Sequence, residues 1–410
     1  MNNIITKADN SDPVSYTCKC SAQTEGGKIL LFYRYWSNAP TLPTEHVTKA
    51  EDADTLARFH ESLASQLELG GKFRVAKEGF NITLGGTSPS IAAYIEECHK
   101  HWSFSNIDLT TEEARHEYFK PTPGCACAFG NKASIRVTAE ITPLGITNYS
   151  PSSWSNVISL SPPEFHDICK DGSMRLIDVR NHYESRIGYF VTGTGEVAVR
   201  PAVRRFSQWP GYVARHVLGN DLYKAPIATY CTGGIRCEKG ARWMQEQLAA
   251  NASDDDVPVY TLRGGIVAYQ AWMEQEIEQG RKKPEDSYFK GKMYVFDARG
   301  AIAPDGETCE KVSTCHRCGN GEDRLGKCRR AGCNLVLVVC EACEDDGGCN
   351  CCEDCRATED KILQDGGSKE RGMCRCESDR ERSLWGDGGA KLGQGKSGRR
   401  KGNKNTIKQL

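Results

Sequence analysis

The sequence of 410 residues predicts a multidomain α/β protein, and three observations carry the prediction. An early stretch alternates short apolar runs with helical periodicity in the order βαββαβ, and a central stretch alternates strands with crossover helices. A later stretch gathers closely paired cysteines. The expected boundaries are a disordered leader over 1–27, a first domain over 28–147, a linker over 148–160, a second domain over 161–290, a cysteine-rich domain over 291–360 and a disordered tail over 361–410.

In the first domain, Ile29 to Tyr33 reads as a strand and Asp52 to Leu69 as a helix. Phe73 to Ala76 and Phe80 to Leu84 form two strands joined around Glu78 and Gly79, followed by a helix near Ile91 to His101. Extended segments follow near Phe104 to Leu109 and Ser134 to Val137. That order is the ferredoxin-like, or acylphosphatase-like, split βαββαβ arrangement. Arg74, Lys77 and Lys132 are candidate phosphate contacts, with solvated surface charge as the plainer reading. Pro151 and the Ser161-Pro162-Pro163 run punctuate the linker, with Ser161 as helix cap and Pro162 in the first turn.

The second domain contains the most informative run, Cys231-Thr232-Gly233-Gly234-Ile235-Arg236-Cys237. An apolar strand ends at Cys231 and a helical pattern follows from Glu238, so the cysteine sits at a strand-to-helix turn. Unpaired amides and the helix dipole stabilise a thiolate there, and Arg236 adds a full positive charge. Gly233 and Gly234 let the backbone curl its amides toward the sulfur. Four residues separate Cys231 from Arg236, one fewer than in the loop of cysteine phosphatases, so the loop is too tight to ring a whole phosphate. Cys231 and Arg236 are therefore the candidate catalytic pair, and Thr232 to Ile235 the binding loop. Asp178 and Arg180, at the end of the strand from Arg175 to Val179, are supporting candidates, with helix capping or ion pairing as the plainer role for Asp178. Cys237 is either a resolving thiol or a cysteine packed against the sheet. Strand Val257 to Leu262 and a helix containing Trp272 complete a parallel sheet whose carboxyl ends receive ligands. A glycine-containing insertion, Val191 to Glu196, is expected to enlarge the active-site face.

In the third domain, Cys315 and Cys318, Cys328 and Cys333, Cys340 and Cys343, and Cys352 and Cys355 form four close pairs. Eight thiolates suit two tetrahedral structural zinc ions, with an iron–sulfur cluster as the alternative. Cys351 is an alternative to Cys352, His316 is a further donor, and spacing does not reveal which pairs share an ion. Apolar sequence here is mainly Leu335 to Val339, too little to fold without metal. Cys374 and Cys376 lie in a polar, glycine-rich context and carry little signal.

Composition narrows the classes. No segment approaches the roughly 18 apolar residues of a membrane span, and Met1 to Tyr16 lacks the apolar core of a secretory signal. The expectation is a cytoplasmic protein with reduced cysteines. A net charge of -1 argues against coating nucleic acid by bulk charge. The tail from Lys391 to Lys408 carries seven basic residues and no acid, which suits solubility, nucleic-acid contact or nuclear import. No flavin or nucleotide cofactor motif is evident.

Tyr230 to Lys239, Leu262 to Ile266, Gly291 to Asp297 and the following cysteines resemble the rhodanese-domain family that includes bacterial tRNA uridine hydroxylases and eukaryotic rhodanese-like, thiosulfate sulfurtransferase-like relatives. Ala76 to Asn81, Gly85 to Thr87 and Phe119-Lys120 agree, and the similarity spans about Lys28 to Cys355. The resemblance implies a rhodanese domain with Cys231 as catalytic thiol and Thr232 to Arg236 as its loop. It also implies oxygen-dependent hydroxylation of the wobble uridine, with the anticodon stem-loop of tRNA as partner. Two alternatives stand beside this: a sulfurtransferase forming a Cys231 persulfide from a small sulfur donor, and a non-catalytic RNA- or protein-binding module.

Overall fold

The computed structural model describes residues 20, 22, 26–146, 148–220, 225–251, 257–303, 309–330, 333, 335–365, 374–376 and 378–379. The expected leader and basic tail lie almost wholly outside these residues. Among the described residues, no helix is long and apolar enough to cross a membrane.

The first domain runs β1 (Gly27–Tyr35), α1 (Thr44–Ala50), α2 (Ala53–Gln66), β2 (Gly70–Ala76), β3 (Gly79–Thr87), α3 (Ser88–Lys100), α4 (Glu112–Phe119), β4 (Thr122–Pro123) and β5 (Ala133–Val137). The sheet order is β4-β1-β3-β2-β5. Period-two alternation sends Phe32, Phe73, Phe80 and Ile82 into a core with Leu56 and Leu63 of α2 and Tyr94 of α3. The opposite face carries Leu31, Tyr33, Lys72, Arg74, Asn81 and Arg136. Two expectations are corrected here. Phe104 to Leu109 is not a strand: Asn106 takes a left-handed φ of 65°, and Phe104 and Leu109 are buried as separate anchors rather than alternating. Ala133 to Val137 does not close the split motif. It adds a fifth strand parallel to β2, while the fourth is the short Thr122–Pro123 beside β1. Prolines at 121 and 123 lack the donors that would extend it.

The second domain contains β6 (Ile158–Leu160), α5 (Pro162–Asp171), β7 (Arg175–Asp178), β8 (Gly188–Phe190), α6 (Trp209–His216), β9 (Ile227–Tyr230), α7 (Ile235–Asn251), β10 (Val259–Leu262) and α8 (Gly265–Glu278). β6, β10, β9 and β7 form one parallel sheet. The stretch expected as a linker therefore supplies an edge strand. Glu164 accepts the Ser161 N–H at 2.7 Å, which starts α5 at the residue expected to cap it. Alternate residues of the strands enter two cores, one with Ile177, Ile227, Trp209 and Met244 and one with Leu176, Ala228, Phe165 and Tyr269. The Val191 to Glu196 insertion lies away from the catalytic face. Gly193 N–H donates to the Cys169 carbonyl and Glu196 pairs with Arg175, which opens β7, whereas Cys231 follows the far end of β9.

Beyond α8 come β11 (Phe289–Gly291), β12 (Met293–Tyr294), β13 (Ala301–Ile302), β14 (Leu325–Lys327), β15 (Val336–Val338), α9 (Glu341–Asp345) and α10 (Glu353–Asp365). β11 pairs with β8, and the later hairpins surround the cysteines together with Leu335, Leu337 and Val339.

The two α/β units meet through buried charge. Lys239 on α7 is 1% exposed and reaches Glu78 and Glu140 of the first domain, each at 2.8 Å. Its desolvation is tolerable only with both acids in place. Tyr33 hydroxyl donates to Glu238 at 3.0 Å, and the Arg242 guanidinium lies 4.9 Å from the Trp154 ring. The double substitution E78Q and E140Q is expected to lower stability by about 3–5 kcal/mol in urea unfolding, because it strands a buried ammonium. Adding Lys239→Met should recover most of that loss; no recovery would mean that the acids act through other contacts.

Candidate active site

Cys231 sits at the carboxyl end of β9, one residue beyond Tyr230, and the loop to Arg236 merges into the first turn of α7. The Gly234 N–H donates to the Cys231 sulfur at 3.2 Å. Complete burial pushes the thiol pKa up, but the Cys237 thiol, the Arg236 charge and the amides of Cys237 and Arg236 favour the thiolate and bring it to about 6. Cys237 is thus buried, and its thiol favours the charged form of the reactive sulfur. Burial and the neighbouring thiolate push its own pKa well up, which keeps its proton in place.

The loop glycines answer to a constraint from the first domain. A Cβ at Gly233 would lie 2.6 Å from the Leu31 side chain, and one at Gly234, where φ is +97°, would lie 2.7 Å from the Tyr33 hydroxyl. Curling the amides and admitting β1 are two separate reasons for the same residues.

Arg236 is held in a buried fork. Its guanidinium donates to the two carboxylate oxygens of Glu184 at 2.6 and 2.8 Å and to the Thr232 hydroxyl at 3.1 Å. Glu184 is fully buried, so most of the arginine charge is balanced inside the protein. Asp178 and Arg180 form a second buried pair at 2.7 Å, and Arg180 also donates to the Gly188 carbonyl. Both lie behind the loop and tie β7 to β8.

Three residues that sequence reasoning did not select stand close to the sulfur electrostatically or through its loop: Glu184, Tyr33 and Lys120. Glu184 was legible only through the requirement that a buried arginine have a carboxylate partner. Burial pushes the Lys120 ammonium down to about 8, against the opposing charges of Glu117, Glu238 and Cys231. Its Nζ donates to the Tyr118 carbonyl at 2.9 Å and lies 5.6 Å from the Tyr33 ring. Nothing in the local sequence of Tyr33 or Lys120 points at a cysteine more than a hundred positions away.

A cleft of about 600 Å³ lies between the polar sheet face of the first domain and the loop, with Thr232, Gly233, Ile235 and Arg236 on one wall. Lys72, Arg74, Arg136, Arg204 and Arg205 also line it, together with Arg299, which is paired to Asp297. Of the candidate phosphate contacts, only Arg74 lines the cleft; Lys77 pairs with exposed Glu51, and Lys132 is exposed elsewhere.

The cysteine pairs interleave. Cys315, Cys318, Cys340 and Cys343 form one set, and Cys328, Cys333, Cys351 and Cys355 another, with the sulfurs of each set within 4.8 Å of one another. Cys351 replaces Cys352 in the second set. Its amide donates to the Cys328 sulfur and its sulfur lies 3.7 Å from that of Cys333. Cys352 instead groups with Cys351, Cys355 and Cys374. Cys374 and Cys376 thus return to the cluster, and the cysteine-rich unit extends past residue 360. His316 Nε2 donates to the Cys351 carbonyl at 3.1 Å and is outside both sets. Four mutually close sulfurs per set are a chemical fit to a tetrahedral thiophilic metal ion. Arg204 donates to the Cys333 carbonyl at 2.8 Å, joining this unit to the cleft.

A parallel α/β sheet that offers an activated thiolate from a four-residue loop, facing a second sheet across a basic cleft, defines a rhodanese-type thiol enzyme with an accessory domain. The chain is 30% identical to the tRNA uridine(34) hydroxylase of Staphylococcus haemolyticus, over 81% of this chain and 89% of that protein. It is also 30% identical to the tRNA uridine(34) hydroxylase of Cytophaga hutchinsonii, over 83% and 93%. The chain belongs to the tRNA uridine(34) hydroxylase family. Residues 28–141 match the UPF0176 acylphosphatase like domain, and residues 290–356 match the Rhodanase C-terminal family. Rhodanese-like domain-containing protein 6 of Arabidopsis thaliana is 28% identical over 80% of this chain and 52% of its own length.

If the Cys237 thiol holds the Cys231 thiolate, Cys237→Ala should move the ultraviolet thiolate titration, measured as wild type minus C231A, to a midpoint clearly above about 6. The thiolate forms as pH rises through that midpoint. An unmoved midpoint would assign the stabilisation to the loop amides and Arg236 alone.

Proposed function

We propose that this protein hydroxylates the wobble uridine of tRNA, with Cys231 as the catalytic thiol. The observation that carries this reading is the basic cleft beside the thiolate loop, lined by Lys72, Arg74, Arg136, Arg204 and Arg205. Cations spread over such a space suit the phosphates of an RNA loop, whose single-stranded bases can be splayed into a pocket. A small sulfur donor has less support, because Arg236, the charge nearest the loop, is already neutralised by Glu184.

In this reading the Cys231 thiolate adds to C6 of the uracil ring and C5 becomes carbanionic, the form that meets dioxygen. Overall C5–H becomes C5–OH. One oxygen atom enters the base and the other leaves as water, with two electrons and two protons from an added thiol reductant. Gly234 N–H and the Cys237 thiol hold the sulfur as thiolate, while Glu184 fixes Arg236 and Thr232 around it. Cys231 is fully buried, so the base reaches it after side chains at the cleft floor move aside.

The cysteine-rich unit holds structural zinc in the two interleaved sets and supports the cleft through Arg204. Zinc analysis of the purified protein is expected to show that Cys351→Ser loses one equivalent and Cys352→Ser keeps the wild-type count. The reverse result would restore Cys352 as ligand. For the reaction, nucleoside mass spectrometry of tRNA from cells lacking the gene should show loss of the oxidised wobble uridine, restored by wild type and not by C231A. Unchanged nucleosides, with rapid conversion of thiosulfate to thiocyanate by the purified protein, would overturn hydroxylation in favour of sulfur transfer.

A further inference from the structure

Outside the cysteine-rich unit, three more sulfurs converge in the first domain. Cys20, Cys125 and Cys127 lie within 4.8 Å of one another. Cys125 and Cys127 are 3% and 2% exposed, at the head of a tight turn over Ala126–Phe129, while Cys20 comes from the segment ahead of β1. We infer that these three thiolates form an additional zinc site that fastens the segment before β1 to the first domain.

Chemistry and packing support the assignment together. A tetrahedral zinc ion with Zn–S bonds of about 2.3 Å sets its sulfurs about 3.8 Å apart, within the spread found here. The turn is seated where the sheet leaves room for it. A Cβ at Gly70 would come 2.5 Å from the Ala126 carbonyl and one at Gly85 would come 2.7 Å from the Cys125 carbonyl. Ala22 closes on Gly27 in the same manner, at 2.8 Å, so the residue two after Cys20 lies against the start of β1. The fourth coordination position takes water or a further donor. Cys18 lies outside the described residues and is no part of this site; replacing it together with Cys20 keeps it from standing in for Cys20.

The site also has a connection to the cleft. The Ala128 carbonyl accepts the Ala298 N–H at 2.9 Å, and the Pro123 carbonyl accepts Arg299, which lines the cleft, at 2.8 Å. An ion at Cys125 and Cys127 therefore stiffens the turn from which one rim of the cleft is hung.

The test is zinc content of the full chain, purified under reducing conditions, for wild type, C125S/C127S and C18S/C20S. Each double variant is expected to hold one equivalent fewer than wild type, while C231A holds the wild-type count. C18S/C20S alters only the segment before β1, so it reads the site even if the buried pair of substitutions disturbs folding. In zinc-replete wild type, Cys20 should resist alkylation until a chelator is added. The wild-type zinc count in C18S/C20S, rapid labelling of Cys20 in zinc-replete protein, or a disulfide within this trio would each overturn the site. These outcomes are independent of the tRNA reading and of the ions assigned to Cys315 through Cys355.

Discussion

The architecture turns on the burial of Lys239. An ammonium that is 1% exposed cannot persist on α7 without compensating charge, and that charge comes from Glu78 and Glu140 in the other domain. The helix that begins at the catalytic loop is thereby bound to the first domain, and the position of its N-terminus follows. Tyr33 and Leu31 then press against the loop at distances that exclude any side chain at Gly233 and Gly234. The loop that activates the sulfur is also the surface on which the domains dock.

Two consequences follow for the chemistry. The sulfur is held as a thiolate by Cys237, by the charge of Arg236, which Glu184 holds in place, and then by the amides of its own loop. Further cations line the cleft from outside the loop, on the polar face of the first sheet and at Arg204 and Arg205.

The cysteine-rich unit fits the same plan. Its apolar content is confined to a few residues around Leu335, Leu337 and Val339, which pack with two cysteine sets that could hold metal ions. Interleaving the pairs binds the segment around Cys315 to that around Cys340, and the segment around Cys328 to that around Cys351. Arg204, which donates to the Cys333 carbonyl, joins this unit to the cleft wall.

The sequence by itself determined what is written in local spacing. Strands β1, β2, β3, β7, β9 and β10, the helix start at Ser161, the strand-to-helix turn at Cys231 and the four-residue interval to Arg236 all appear where period and turn chemistry placed them. Spacing encodes backbone geometry over a few residues, which is why these features were legible. Tertiary structure decided the partners. Glu184 for Arg236, Cys351 rather than Cys352, the return of Cys374, and the fifth strand beside β2 all join residues far apart in the chain. Such pairings are set by which groups must be desolvated together and which charges then need compensation. That is a property of the packed molecule, and no window of neighbouring residues contains it.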